Sequence, residues 1–122
     1  MRRLLLVLAC LLVAGLVSAQ SVINPRQVEL TVSVDHVLVT KYVIGYFQSG
    51  ASAPVMEVDL GTCTPDAQQK CSFAINVQPV GFGVAYVAKV KAVAGTVIGE
   101  WSEPSNPFDR SPGAPGGPLV KK

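Results

Sequence analysis

The chain is poor in the residues that most chemistry needs. It has one histidine, His36, one tryptophan, Trp101, and three cysteines, Cys10, Cys63 and Cys71, in 122 residues. With a single histidine, any Ser-His-Asp or Cys-His arrangement must use His36 as its base. No Cys-x-x-Cys-His run for haem occurs, and no two-Cys-two-His zinc spacing. Gly81-Phe82-Gly83 follows Pro79 but lacks the glycine spacing and the downstream helix of a phosphate loop. Glu57 and Asp59 stand two apart, which puts both on one outer face of an extended segment with no acid–base partner implied. Asn-x-Ser/Thr and Arg-Gly-Asp are both absent. The expectation is a protein that is not an enzyme, with no catalytic residues, no metal and no cofactor.

Excess charge is lacking too. The full chain carries ten Lys and Arg against eight Asp and Glu, but Arg2 and Arg3 lie in the first few residues. Beyond them, eight basic side chains face eight acidic ones, so no long-range field draws nucleic acid or an anionic membrane. Only one long apolar run exists, Leu4 to Val17, behind the positive Arg2-Arg3 head. Val17-Ser18-Ala19 fits the small-x-small pattern that a signal peptidase cleaves. The run is short for a membrane span, which needs about 20 residues. Residues 1–19 are expected to be a signal peptide, leaving no stable membrane insertion. The remaining 103 residues suit one domain. The expected location is secreted, extracellular or periplasmic.

Cleavage removes Cys10 and leaves an even pair. In an exported chain, Cys63 and Cys71 are expected to form a disulfide. No histidine or further cysteine lies nearby to complete a metal site. Chain entropy for so short a loop gives roughly 2–3 kcal/mol of stabilisation.

What is present is a period of two. Val28, Leu30, Val32 and Val34 alternate with Glu29, Thr31, Ser33 and Asp35. Tyr42, Ile44 and Tyr46 share a face within 42–47. Met56, Val58 and Leu60 alternate with acids, and Phe73, Ile75 and Val77 with Ala74, Asn76 and Gln78. Tyr86, Ala88, Val90 and Ala92 alternate with Val87, Lys89, Lys91 and Val93. A last strand is expected near Gly99 to Ser105. Gly/Pro-rich turns separate these segments, and no helical period interrupts them. The pattern predicts an all-β fold, a two-sheet antiparallel sandwich of about seven strands. Residues 20–109 form that domain, and 110–122, with Ser-Pro-Gly-Ala-Pro-Gly-Gly-Pro and a Lys121-Lys122 end, form a flexible tail.

Tyr86-Val-Ala-Lys-Val-Lys-Ala-Val-Ala-Gly95 and Gly99-Glu-Trp-Ser-Glu-Pro-Ser-Asn-Pro-Phe108 carry a resemblance. Together they resemble the last two strands, F and G, of a fibronectin type III domain, an immunoglobulin-like fold. Tyr42-Val-Ile-Gly-Tyr-Phe47 is similar to that family's strand C. The buried Trp usual on strand B has no counterpart here, and strand A must come from the short stretch Ser21 to Pro25. The resemblance implies that Tyr86 either forms a corner, with its hydroxyl on backbone near the E–F connection, or is a plain core tyrosine. A three-residue Ala94-Gly95-Thr96 turn sets Trp101 outward opposite Lys89. A two-residue Ala94-Gly95 turn sets it inward opposite Ala88. The family favours the outward version, with a cation–π contact of about 0.5–1 kcal/mol.

The resemblance further implies a binding or adhesion module acting through loops on a rigid scaffold. The loops at one end are Asp35 to Thr40, with Asp35 and His36, and Ala94 to Gly99, with Thr96, Val97 and Ile98. Those last three are either a contact patch or the start of strand G. The partner is an unknown protein or glycan, and the domain is expected to be a monomer. The alternative is a passive structural spacer.

Overall fold

The computed structural model describes residues 21–122, so the expected signal peptide at 1–19 lies outside the described residues. The described chain is all-β, in two sheets. The strands are β1 (Val22–Ile23), β2 (Gln27–Thr31), β3 (Lys41–Gln48), β4 (Met56–Gly61), β5 (Lys70–Ala74), β6 (Tyr86–Ala94), β7 (Val97–Ile98) and β8 (Phe108–Asp109). One short 3-10 turn, His36–Leu38, joins β2 to β3.

The larger sheet runs β1-β8-β6-β3-β4, with β7 also on β6, and the smaller sheet is β2-β5. The β3–β6 pair is the backbone of the fold. It is antiparallel, with Tyr42 opposite Ala92, Ile44 opposite Val90 and Tyr46 opposite Ala88. Alternation then sends these six side chains to one face. Ile44, Tyr46, Tyr86, Ala88 and Phe108 build the core there with Val77 and Val80. Val28 of β2 and Met56, Val58 and Leu60 of β4 pack against it. Tyr46 and Phe108 meet edge-on, with centroids 5.8 Å apart, while Tyr86 stacks on Phe108 at the same separation. Such aromatic pairs contribute about 0.5–1.5 kcal/mol beyond area burial.

Several segments differ from expectation. The fourth predicted strand starts earlier, at Lys70, because β5 is registered by β2, with Leu30 opposite Cys71 and Val28 opposite Phe73. Beyond Ala74 the ladder ends, and Asn76 Oδ1 accepts from Gln78 N–H at 2.9 Å, which turns the chain. The first strand does not pair with β2. It runs parallel to β8, with Val22 opposite Phe108.

The third difference concerns 99–105, expected as a strand. Gly99, Ser102 and Ser105 N–H donate in turn to the carbonyls of Ala92, Val90 and Ala88, each at 2.8 Å. Steps of three on one side meet steps of two on the other, so the segment winds rather than pleats. The unmatched β6 amides are taken by hydroxyls. Ala88 N–H donates to Ser105 Oγ (2.9 Å) and Val90 N–H to Ser102 Oγ (3.0 Å). Pro104, which has no N–H, sits where no ladder donor is needed.

The expected tail at 110–122 begins one or two residues later. Arg110 donates to the carbonyls of Gln78 and Val80 and lies over the Phe82 ring, 4.3 Å from its centroid. Ser111 N–H donates to Asn24 Oδ1 at 3.0 Å. From Pro112 onward every residue is exposed.

Candidate functional site

At one end of the sheets, residues 33–40 meet the β6–β7 hairpin. The hairpin turns on two residues, Gly95-Thr96, since Ala94 pairs with Val97 and Val93 with Ile98. Gly95 has φ +61, a conformation open to glycine and costly for other residues. Thr40 ties the two loops together. Its N–H and its Oγ1 both donate to the Val93 carbonyl (2.8 and 2.9 Å), and Oγ1 accepts from Gly95 N–H at 3.1 Å.

This lacing fixes the backbone and leaves apolar side chains outside. Val34, Val37 and Leu38 on one loop, and Val97 and Ile98 on the other, are 102, 96, 70, 69 and 65% exposed. Val97 and Ile98 form a strand and also project into water, so the two alternatives for this stretch are compatible. Thr96 occupies the turn and is exposed, as is Asp35, which precedes the 3-10 turn.

His36 differs from the open loop histidine expected from its position. It is half-buried, its ring stacks on Tyr42 with centroids 5.8 Å apart, and both ring nitrogens are engaged. Nε2 lies 3.1 Å from the Cys63 carbonyl and Nδ1 2.8 Å from Tyr42 Oη. A carbonyl only accepts, so Nε2 carries the proton. In the neutral ring Nδ1 then accepts the Tyr42 hydroxyl proton. Tyr42 Oη in turn accepts from Ser33 N–H at 3.1 Å. The histidine is thus a rivet between the 33–38 loop, β3 and the Cys63–Cys71 disulfide, which the structure contains. It is not a free base.

The outer face of the larger sheet carries a second cluster. Trp101 lies outward, yet neither proposed hairpin register describes it, because the turn is Gly95-Thr96 and the following segment winds. Its ring is edge-on to Phe47 (5.1 Å) and holds Lys91 Nζ at 4.4 Å, while Lys89 Nζ sits 4.6 Å over Phe47. Lys91 also pairs with Glu57 Oε1 at 2.6 Å, and Lys41 with Asp59 at 2.9 Å. The carboxylates at 57 and 59 are therefore ion-pair partners on a sheet face. Gly45 makes the room: a Cβ there would stand 2.8 Å from Trp101 Cη2. Opposite this face, buried Tyr86 accepts from Gly81 N–H at 3.0 Å through its hydroxyl, five residues upstream.

No family model, curated protein or solved structure matches this chain. Among the described residues, no three His, Cys, Asp or Glu converge as a metal site would require, and no helix is long and apolar enough to cross a membrane. The residues that sequence reasoning missed at the loop end are Val34, Val37 and Leu38. Alternation puts Val34 on the apolar face of a strand expected over 28–34. That strand stops at Thr31, so Val34 lies beyond the ladder that would have buried it. The signal available was Val-Leu-Val at 37–39, three apolar residues in a loop.

Proposed function

We propose that the chain is an exported, fibronectin type III-like β-sandwich that serves as a binding or adhesion module for a protein or glycan. The observation that carries this reading is the apolar end. Five aliphatic side chains from two separate loops stand in water on a backbone held by Thr40. Val97 and Ile98, successive in a strand, point to opposite faces, so they and the 34–38 side chains offer several apolar contact points around this end rather than one patch. Loops held on a rigid scaffold are where such folds place recognition.

The sandwich reading draws on topology. If β2, β3, β4, β5 and β6 are strands B, C, C′, E and F, and 97–109 is strand G, the sheets are C′-C-F-G and B-E. That is the immunoglobulin-like division of strands. The Tyr86 hydroxyl on Gly81 and the outward Trp101 agree with the F and G strands of the type III family. The parallel pairing of β1 with β8 departs from it. Export draws on the N-terminal sequence and accords with the disulfide. A non-enzymatic role accords with His36, whose two nitrogens are committed to Tyr42 and Cys63.

Site-specific photo-crosslinking from residue 97, on the native exporting cells, tests the reading. Residue 52, in the β3–β4 loop, is the control site. A single adduct formed from 97, absent from 52, and lost when Val37, Leu38, Val97 and Ile98 are changed to Ser in a chain with an unchanged circular dichroism spectrum, is the expected result. No position-specific adduct at any density of cells would leave the passive spacer, for which the exposed Pro/Gly-rich tail speaks.

A further inference from the structure

The smaller sheet has an unfilled edge. Val32 N–H donates to the Gln69 carbonyl and Ile75 N–H to the Arg26 carbonyl, both at 2.9 Å. This phase turns the even-numbered residues of β2 toward β5 and points the N–H and C=O groups of Gln27, Glu29 and Thr31 the other way. Among the described residues no strand pairs with them, since β1 has gone to β8 instead. Between this edge and the winding segment 99–105 runs an open groove of about 480 Å³. Its floor is Val28, Leu30, Tyr42, Ala88, Val90 and Ala92, the inner-face residues of both sheets. Its charged lining is Glu29, Glu100 and Glu103 with one cation, Lys91, which is paired with Glu57. Glu29 pairs with Lys70, while Glu100 and Glu103 make no ion pair among the described residues. An open edge above an apolar floor is the geometry of strand addition, in which main-chain hydrogen bonds and alternate side chains are both satisfied.

The chemistry that fits is a short extended segment, aliphatic and then basic, with every N–H available. The chain carries one such segment, Leu119-Val120-Lys121-Lys122. Upstream, Pro112, Pro115 and Pro118 each lack a ladder donor and alternate with Gly and Ala, which makes a spacer. In the structure Leu119 and Val120 are 80 and 91% exposed, so a chain's own tail does not fill its groove. We infer that the C-terminal residues 119–122 of a second copy enter the groove between β2 and 99–105 as an added strand, with Lys121 and Lys122 against Glu100 and Glu103. Reciprocal exchange closes a dimer, and one-way insertion gives a head-to-tail chain. Four residues and two exposed ion pairs make the contact weak and salt-sensitive. The inference stands apart from the apolar end and holds whether or not that end binds a partner.

Sedimentation of the processed chain from about 10 µM to about 1 mM, at low and high salt, reads the association. The expected result is a mass that rises with concentration, that falls back by at least tenfold in association constant at high salt, and that stays monomeric in a chain ending at Gly117. Glu100→Lys with Glu103→Lys has the same effect, and adding Lys121→Glu with Lys122→Glu restores association. A synthetic peptide of residues 111–122, titrated into the chain ending at Gly117, shifts the amide resonances of Gln27, Glu29 and Thr31. A chain that is monomeric at every concentration overturns the inference. So does association that survives removal of 118–122, or tail-dependent shifts at β2 that are independent of concentration, which would place the tail in its own groove.

Discussion

Gly45 and Trp101 are predicted to be coupled strongly enough to reverse the sign of a mutation. Gly45 lies in the middle of β3, where glycine weakens a strand by about 0.5–1 kcal/mol relative to alanine. On propensity alone, Gly45→Ala should stabilise. The added Cβ, however, would stand 2.8 Å from Trp101 Cη2 and 2.9 Å from Phe47 Cε1. Real Cβ atoms do not approach so closely, so the indole must move, and it is confined by Phe47 and by Lys91, itself held to Glu57. Overpacking of this kind costs about 1–3 kcal/mol. The net effect is a loss of about 0.5–2 kcal/mol, and for a domain of this size each kcal/mol shifts Tm by about 4–8 °C. In a Trp101→Ala background the obstacle is gone and Phe47, no longer held edge-on, can turn aside. There Gly45→Ala should stabilise by about 0.5–1 kcal/mol, a coupling of about 1–3 kcal/mol. Urea unfolding followed by far-UV circular dichroism measures all four corners of the cycle. In the single Gly45→Ala variant the fluorescence of the chain's one tryptophan should also shift red as the indole is pushed toward water. Equal effects of Gly45→Ala in the two backgrounds, within about 0.5 kcal/mol, would refute the argument that Gly45 exists to admit Trp101.

Three further outcomes are expected. Replacing Cys63 and Cys71 together by Ser should lower stability by roughly 2–3 kcal/mol in denaturant titration, and should broaden the His36 ring resonances, because the Cys63 carbonyl that holds Nε2 loses its anchor. Tyr86→Phe removes the acceptor for Gly81 N–H while leaving the stacked ring on Phe108, so urea midpoints should show a loss of about 0.5–1.5 kcal/mol. Burial raises the hydroxyl pKa of Tyr46 above the ordinary tyrosine value. The folded state therefore keeps that proton where the unfolded chain releases it, so stability is full below about pH 10 and declines as pH rises from there toward the folded value. Unfolding series between about pH 9 and 11.5 should show that decline, and Tyr46→Phe should flatten it, with no flattening counting against burial as the cause.

The sequence by itself determined the faces. Alternation placed Tyr42, Ile44, Tyr46, Ala88, Val90 and Ala92 together, and the β3–β6 register joins them on one side of the sheet. Alternation succeeds there because β3 and β6 pair with each other over eight successive positions, so one pleat dictates the next. The Cys63–Cys71 disulfide was legible from the cysteine count together with the expected export. Tertiary structure alone decided the rest, and in each case the reason is which backbone group a neighbour had already taken. Ser102 and Ser105 hydroxyls occupy the β6 amides that a strand's carbonyls would have used, so 99–105 winds with a repeat of three and Trp101 comes to rest beside Lys91 rather than Lys89. The trace of that repeat was present in Gly99, Ser102 and Ser105, spaced by three, but a period-two template cannot register it. The short first strand takes the edge of β8 and leaves β2 open. His36 turns inward because Tyr42 and Cys63, 6 and 27 residues away, offer its two nitrogens partners that no local pattern announces.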